Sequence, residues 1–295
     1  MAIERSIEGY FLGCPIWGMK DWVGTLYRRA SKPREFLAQY SSVFNTVEGN
    51  TTFYHLPKPH IVERWRDDTP ADFRFSFKLW RAITHERHLV GAAPETAEFF
   101  ERLAPLGERL GPFMIQLPPS FGPGKLGDLD RFLKALPSEF EYTVELRHPD
   151  FFHVPEWIEE ADALLAQHGC GRTIFDTRAL RSGDGDDPDV RVARGRKPNL
   201  PTLESALGNA PLLRFIGHKD PGVNRPWLEH WLPILVRWIG EGRRPYVMIH
   251  TPDDLSSPEL ARELHKLLQS VLDLPPMPIW PAEERPPGEQ LFLFD

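Results

Sequence analysis

Eight short apolar runs, each followed by a stretch of helical periodicity, succeed one another between residues 10 and 272, and few folds accommodate that rhythm. The runs are "YFLGC" (10–14), "TVEGN" (46–50), "FRFSFKL" (73–79), "FMIQL" (113–117), "YTVEL" (142–146), "RTIFD" (172–176), "LLRFI" (212–216) and "YVMIH" (246–250). Helical patterns lie between them at 33–44, 59–68, 94–110, 128–136 and 155–168, weakly at 202–207, then at 226–242 and 257–272. Several open on proline or a capping residue, where the first-turn amides need no partner or receive one. Alternating βα units over this length predict an α/β fold, a (β/α)8 TIM-like barrel covering residues 1–274; a doubly wound open sheet is the alternative.

The barrel pattern stops at Pro275. The run "PPMPIWPAEERPPG" is too rich in proline to continue a helix or a strand, so residues 275–295 are expected to form a tail. That tail closes on "GEQLFLFD", with large apolar side chains next to a terminus.

Composition narrows the possible partners. A formal charge of -7 at pH 7 keeps the whole molecule from clinging to nucleic acid or an acidic membrane, so contact with either needs a local basic patch. Cys14 and Cys170 are far apart and read as buried free thiols, not as a disulfide framework or a zinc ribbon. No run of eighteen apolar residues and no signal-peptide pattern is present, which makes the cytoplasm the expected location. The phosphate loop, the dinucleotide glycine fingerprint, the zinc-protease helix and the serine-hydrolase elbow are also missing.

In a barrel, the C-terminal strand ends converge on one face. Here they carry Glu48 and Asn50, then Thr52, Phe53 and Tyr54; Lys78 with His85 behind it; Gln116; Glu145, Arg147 and His148; Asp176; Arg214; and His218 and His250. So many charges in one mouth must either pair with one another or serve a ligand. Glu48 and Glu145 are a candidate acid–base pair, with Lys78 and His85 as further catalytic candidates. The same carboxylates, with Asp176 and a histidine, are an alternative set for a divalent metal. Lys78, Arg147 and Arg214 favour a phosphate or carboxylate over a neutral sugar, and Phe53 and Tyr54 offer rings for stacking. After the sixth strand, an acidic turn leads to Arg191, Arg194, Arg196 and Lys197, a basic cluster expected on a long loop that either contacts a phosphate backbone or is simply solvated.

The runs "TVEGNTTFYHLP", "FRFSFKLWRAITHERHL", "LGPFMIQLPPSFG" and "YTVELRHPDFF" together resemble the family called domain of unknown function 72, also known as YecE-like. The resemblance covers about residues 9–273 and implies a TIM-barrel-like fold. It places Glu48, Asn50, Thr52, Phe53, Tyr54, Lys78, Thr84, His85, Gln116, Glu145, Arg147 and His148 on family motif positions, and it implies no established reaction. At the tail, Gln290, Leu291, Leu293 and Phe294 resemble the peptide by which bacterial replication and repair proteins dock on the sliding clamp. A flexible proline-rich tether suits that role. The expectation is a barrel that binds a phosphate-bearing ligand, nucleic acid or nucleotide, and is recruited to DNA replication or repair, with hydrolysis of a phosphodiester or glycosidic bond as its candidate chemistry. The alternatives are a metabolic enzyme for a small sugar or sugar phosphate and a binding module without turnover.

Overall fold

Strand alternation decides which side chains line the centre of this molecule, and the computed structural model, which describes residues 9–284, shows the outcome strand by strand. Eight parallel strands are present: β1 (Phe11–Gly13), β2 (Thr46–Gly49), β3 (Arg74–Phe77), β4 (Phe113–Gln116), β5 (Tyr142–Glu145), β6 (Gly171–Asp176), β7 (Leu212–Ile216) and β8 (Tyr246–His250). They form a curled six-stranded sheet in the order β1-β8-β7-β6-β5-β4 and a two-stranded sheet of β2 and β3. The two sheets meet at two seams. At one, Glu48 N donates to Cys14 O at 3.1 Å; at the other, Gly111 N donates to Phe75 O at 2.8 Å and Leu79 N to Met114 O at 2.9 Å. Gly13 is required at the first seam, because a Cβ there would stand 2.1 Å from the Thr46 carbonyl oxygen. The result is a TIM-barrel-like α/β fold.

The helices are α1 (Phe36–Ser41), α2 (Thr51–Tyr54), α3 (Pro59–Asp67), α4 (Ala93–Leu103), α5 (Leu126–Lys134), α6 (Asp150–His153), α7 (Pro155–Gln167), α8 (Arg178–Ser182), α9 (Pro188–Arg196), α10 (Pro221–Gly240) and α11 (Ser257–Gln269). Odd and even strand positions serve different cores. Phe75, Phe77, Val144, Leu213, Phe215, Val247 and Ile249 face the helices in one large cluster, where Trp65 of α3 stacks on Phe77 at 5.7 Å between ring centroids. Met114, Leu212, Tyr246 and Met248, with Phe11 against them, form a smaller cluster between the strands, and Thr143 meets Thr173 there at 2.9 Å. Burying a large apolar side chain contributes roughly 1.5–3 kcal/mol, so slipping one strand by a residue would forfeit both cores and expose its charged positions to the helices.

Several local expectations are corrected. The weak helical pattern at 202–207 forms no helix. The loop after β6 is not structureless, since it folds into α8 and α9, the latter capped by the Asp187 carboxylate on the amides of Asp189 and Val190. α4 ends at Leu103, not 110, where a proline-containing turn leads to Gly107 at φ 55°, a left-handed conformation suited to glycine. α10 begins at Pro221, earlier than 226, because the Asp220 side chain caps it on Gly222 N; its internal Pro226 and Pro233 are solvent-facing, so the freed carbonyls can meet water. The tail also packs back before it ends. Trp280, 3% exposed, lies beneath the Arg262 guanidinium, Ala282 N donates to Leu26 O at 3.2 Å, and Glu284 pairs with Arg28. The peptide residues Gln290, Leu291, Leu293 and Phe294 lie outside the described residues. Among the described residues, no helix is long and apolar enough to cross a membrane.

Candidate functional site

At the C-terminal strand ends, the inward positions change from apolar to charged. Alternation sends Glu48, Lys78, Gln116, Glu145, Arg214 and His250 to the centre, and the side chains link there in a chain. Arg214 holds Glu48 with two hydrogen bonds, Nε to Oε2 at 2.7 Å and Nη2 to Oε1 at 2.8 Å, and holds Glu145 Oε2 through Nη1 at 2.7 Å. Arg147 grips Glu145 Oε1 from the outer side through Nε at 2.6 Å and also donates to Gln116 Oε1 at 3.1 Å. Lys78 Nζ stands 3.3 Å from Glu48 Oε1, and His250 Nε2 3.2 Å from Glu48 Oε2. All four carboxylate oxygens therefore face cations or donors.

This pairing sets the charge states. Burial alone would raise the Glu48 carboxyl, but Arg214, then Lys78 and His250, outweigh it and hold it well below the usual carboxylate range. Burial likewise opposes ionisation of Glu145, yet Arg147 and Arg214 bring it down to about 2. His250 is pushed to about 3, chiefly by burial, and stays neutral near pH 7. Lys78 falls to about 8 because burial and the Arg214 charge together exceed the pull of Glu48. Among the linked side chains at the centre, it is the one brought nearest to exchanging a proton at neutral pH.

The other candidate residues divide. Phe53 packs edge-on against His85 at 5.0 Å between ring centroids, and 57% of Tyr54 is exposed; both stand on α2, which Thr52 ties to the Lys78 backbone. His85 sits on a π-helical turn (Ala82–Glu86), 2.9 Å through Nδ1 from Thr84 Oγ1, and burial with the Arg147 charge lowers it to about 4. Thr52 is structural, donating to the Lys78 carbonyl at 2.8 Å, and Asn50 donates to Pro15 O at 2.9 Å. His148 accepts from Asp150 N at 3.3 Å. Asp176 does not join the centre. The β6 register turns it outward, where Oδ1 takes Arg178 N and Nε, and Oδ2 takes Arg178 Nη2 and the Trp231 indole at 2.8 Å. Consequently Glu48, Glu145, Asp176 and a histidine form no ligand shell, and no group of three or more metal-ligating side chains is poised for an ion among the described residues.

Two contributors were not singled out by the sequence patterns, and a third was expected only as one member of the basic cluster after the sixth strand. Phe175 takes the inward place next to Asp176 and lies beneath the Arg214 guanidinium at 4.9 Å; strand parity alone would have found it. Asp254, held at φ 60° just past β8, has a carboxyl that burial raises to about 6. Lys197, expected with three arginines on the long loop after the sixth strand, lies within electrostatic reach of Arg214, Glu48, Asp254 and Glu145.

Known proteins share this frame. The chain is 38% identical over 262 residues to the UPF0759 protein YecE of Escherichia coli K12, covering 89% of this chain and 93% of that protein. It is 25% identical over 226 residues to the UPF0759 protein YunF of Bacillus subtilis, covering 73% of each. Among solved structures, a DUF72 family protein from Thermotoga maritima superposes with a TM-score of 0.68 at 23% identity, covering 88% of this chain and 99% of that one. A DUF72 family protein from Enterococcus faecalis gives 0.65 at 19% identity, covering 88% and 95%. At those identities the structural likeness speaks for the fold alone. The model of the family described as protein of unknown function DUF72 matches residues 11–283, nearly all that lies between the first strand and the packed tail, and the chain belongs to that family.

Proposed function

We propose that the two ladders act as one (β/α)8 barrel whose mouth binds a phosphate-bearing ligand, a nucleotide or nucleic acid, between Lys78 and Arg147. The observation that carries this reading is the surplus of positive charge in a buried chain: Lys78, Arg147 and Arg214 face only Glu48 and Glu145. A purely structural network gains nothing from a cation left over in low dielectric, whereas an incoming anion would complete the pairing. Lys78 is held by one carboxylate, and Arg147 is the most exposed of the three cations, with 20% of its side chain reaching solvent. Glu48 and Glu145 then serve as the counter-charges that aim these cations. With every oxygen occupied and the acids fully ionised, they are weak bases, and Lys78 is the better placed proton-transfer group in any cleavage of a phosphodiester or glycosidic bond.

A thermal-shift screen of nucleotides, oligonucleotides, sugar phosphates, neutral sugars and divalent metals tests the reading, because a ligand of the native state raises the melting temperature. Phosphate-bearing compounds should stabilise the protein, and Lys78→Met or Arg147→Met should weaken them by about 1.5–3 kcal/mol, the range for hydrogen bonds to charged groups. Stabilisation by neutral sugars alone, undiminished in either variant, would overturn it.

We also propose that Gln290, Leu291, Leu293 and Phe294 dock this chain on the sliding clamp, bringing the barrel to DNA without strong DNA affinity of its own. The sequence match and the proline-rich connection support this. Leu293→Ala with Phe294→Ala should abolish capture by the organism's own clamp in a surface-binding assay. No binding by the unaltered protein at tens of micromolar, roughly 6–7 kcal/mol of affinity, would remove the proposal.

A further inference from the structure

The segment between β6 and β7 is fastened over the strand ends in a way that a solvated excursion does not need. Leu180 of α8 and Val190 and Ala193 of α9 are buried against Ile216 and Phe175, the inward residues at the ends of β7 and β6. Two arginines tie the pair of helices together. Arg181 Nη2 donates to the carbonyls of Arg194 at 3.1 Å and Lys197 at 2.8 Å, while Arg194 donates through Nε to Leu180 O at 2.9 Å and through Nη2 to Gly183 O at 2.6 Å. Of the four basic residues expected to meet a phosphate backbone, Arg194 is therefore spent inside the segment, and Arg191 and Arg196 are exposed. Lys197 differs from all three. The Arg181 bond fixes its backbone at the end of α9, and its half-buried amine takes part in no hydrogen bond or ion pair among the described residues. Its charge bears on Arg214, Glu48, Asp254 and Glu145 and is felt by His250 across the mouth.

We propose that Lys197 is a ligand-contacting residue of the mouth and that, with Lys78 and Arg147, it selects a phosphate monoester over a diester or a neutral group. This rests on the anion reading above. A monoester presents three unsubstituted oxygens and, near pH 7, close to two negative charges, which suits three donors arriving from β3, β5 and the β6–β7 segment. A diester offers two such oxygens and one charge. Asp254, within electrostatic reach of Lys197, supplies a carboxyl whose protonation would accompany arrival of a dianion.

Calorimetric titration with inorganic phosphate and with dimethyl phosphate separates the possibilities. The unaltered protein should bind phosphate in preference to dimethyl phosphate. Lys197→Gln should weaken phosphate by about tenfold or more and erase most of that preference, with an unchanged melting temperature in phosphate-free buffer. Exchanging the exposed pair, Arg191→Gln with Arg196→Gln, should leave the affinity as it was. If Lys78→Met weakens phosphate but Lys197→Gln does not, Lys197 is no contact and this inference falls while the anion site stands. If no protein binds phosphate, or neither variant changes its affinity, both readings fall together.

Discussion

Replacing Arg214 by Met removes the centre of the buried chain and leaves its partners in place. The guanidinium makes two hydrogen bonds to Glu48 and one to Glu145, and the arginine is 3% exposed. Without it, two buried carboxylates confront each other, with Arg147 restraining one and Lys78 the other. Breaking a buried pair by deleting one partner costs about 3–5 kcal/mol, and a domain of this size loses about 2–4 °C of melting temperature per kcal/mol, so a fall of about 10 °C is expected. The pH dependence gives a sharper check. In the intact protein the folded pKa of Glu145 lies below its ordinary 4.5, at about 2, so its contribution is complete above pH 4.5 and disappears as pH falls through 2. In the variant, Glu48 loses the largest charge opposing its burial, so burial should raise it above its ordinary 4.5 and the sign reverses for that group: protonation relieves the fold, and stability is lost as pH rises through the new value. Urea denaturation at pH 7 and pH 5 should therefore show a deficit that narrows at pH 5. A variant within about 1 kcal/mol of the parent at pH 7, or a deficit that does not narrow on acidification, would refute the buried-chain account.

Other expectations are quick to check. The Lys78 amine, followed by NMR after reductive methylation with labelled carbon and assigned by its loss in Lys78→Arg, should titrate near 8; a midpoint at the ordinary 10.5 would show that it is solvated. Cys14 and Cys170 are buried, with thiols raised by burial, the latter to about 11, so a disulfide reagent should label neither until the protein is unfolded. Rapid native labelling would contradict that burial. Trp280→Ala should destabilise by about 3–5 kcal/mol, as for other buried aromatics, whereas Trp280→Phe should cost much less, because the indole N–H has no partner among the described residues. A neutral outcome for the alanine change would mean that the segment after Pro275 is not part of the core.

Much of the frame was legible because strand and helix periods differ so plainly. Lys78 follows "RFSF", whose phenylalanines alternate with Arg74 and Ser76, and that pattern alone assigns the lysine to the inner face. The same rule, applied to "RTIFD", would have placed Phe175 inward and Asp176 outward; reading Asp176 by its charge overrode its parity. The β6–β7 segment was harder. Its glycines and acids signal a loop, and the helices there depend on the Asp187 cap and on burial of Leu180, Val190 and Ala193, partners that only the fold brings together. Pairing within the mouth was also hidden, because spacing in sequence cannot tell that Arg214 bridges Glu48 and Glu145 across the centre.

The central claim is that an anion is held among Lys78, Arg147 and Lys197, and the most direct measurement is an anomalous-diffraction map of crystals soaked in tungstate. The account predicts a peak at the strand ends with oxygens at hydrogen-bonding distance, about 2.7–3.2 Å, from these three side chains, and no such peak in Lys78→Met crystals. Tungstate found only on the outer helices, or a mouth peak that persists unchanged in the Lys78→Met crystals, would contradict it.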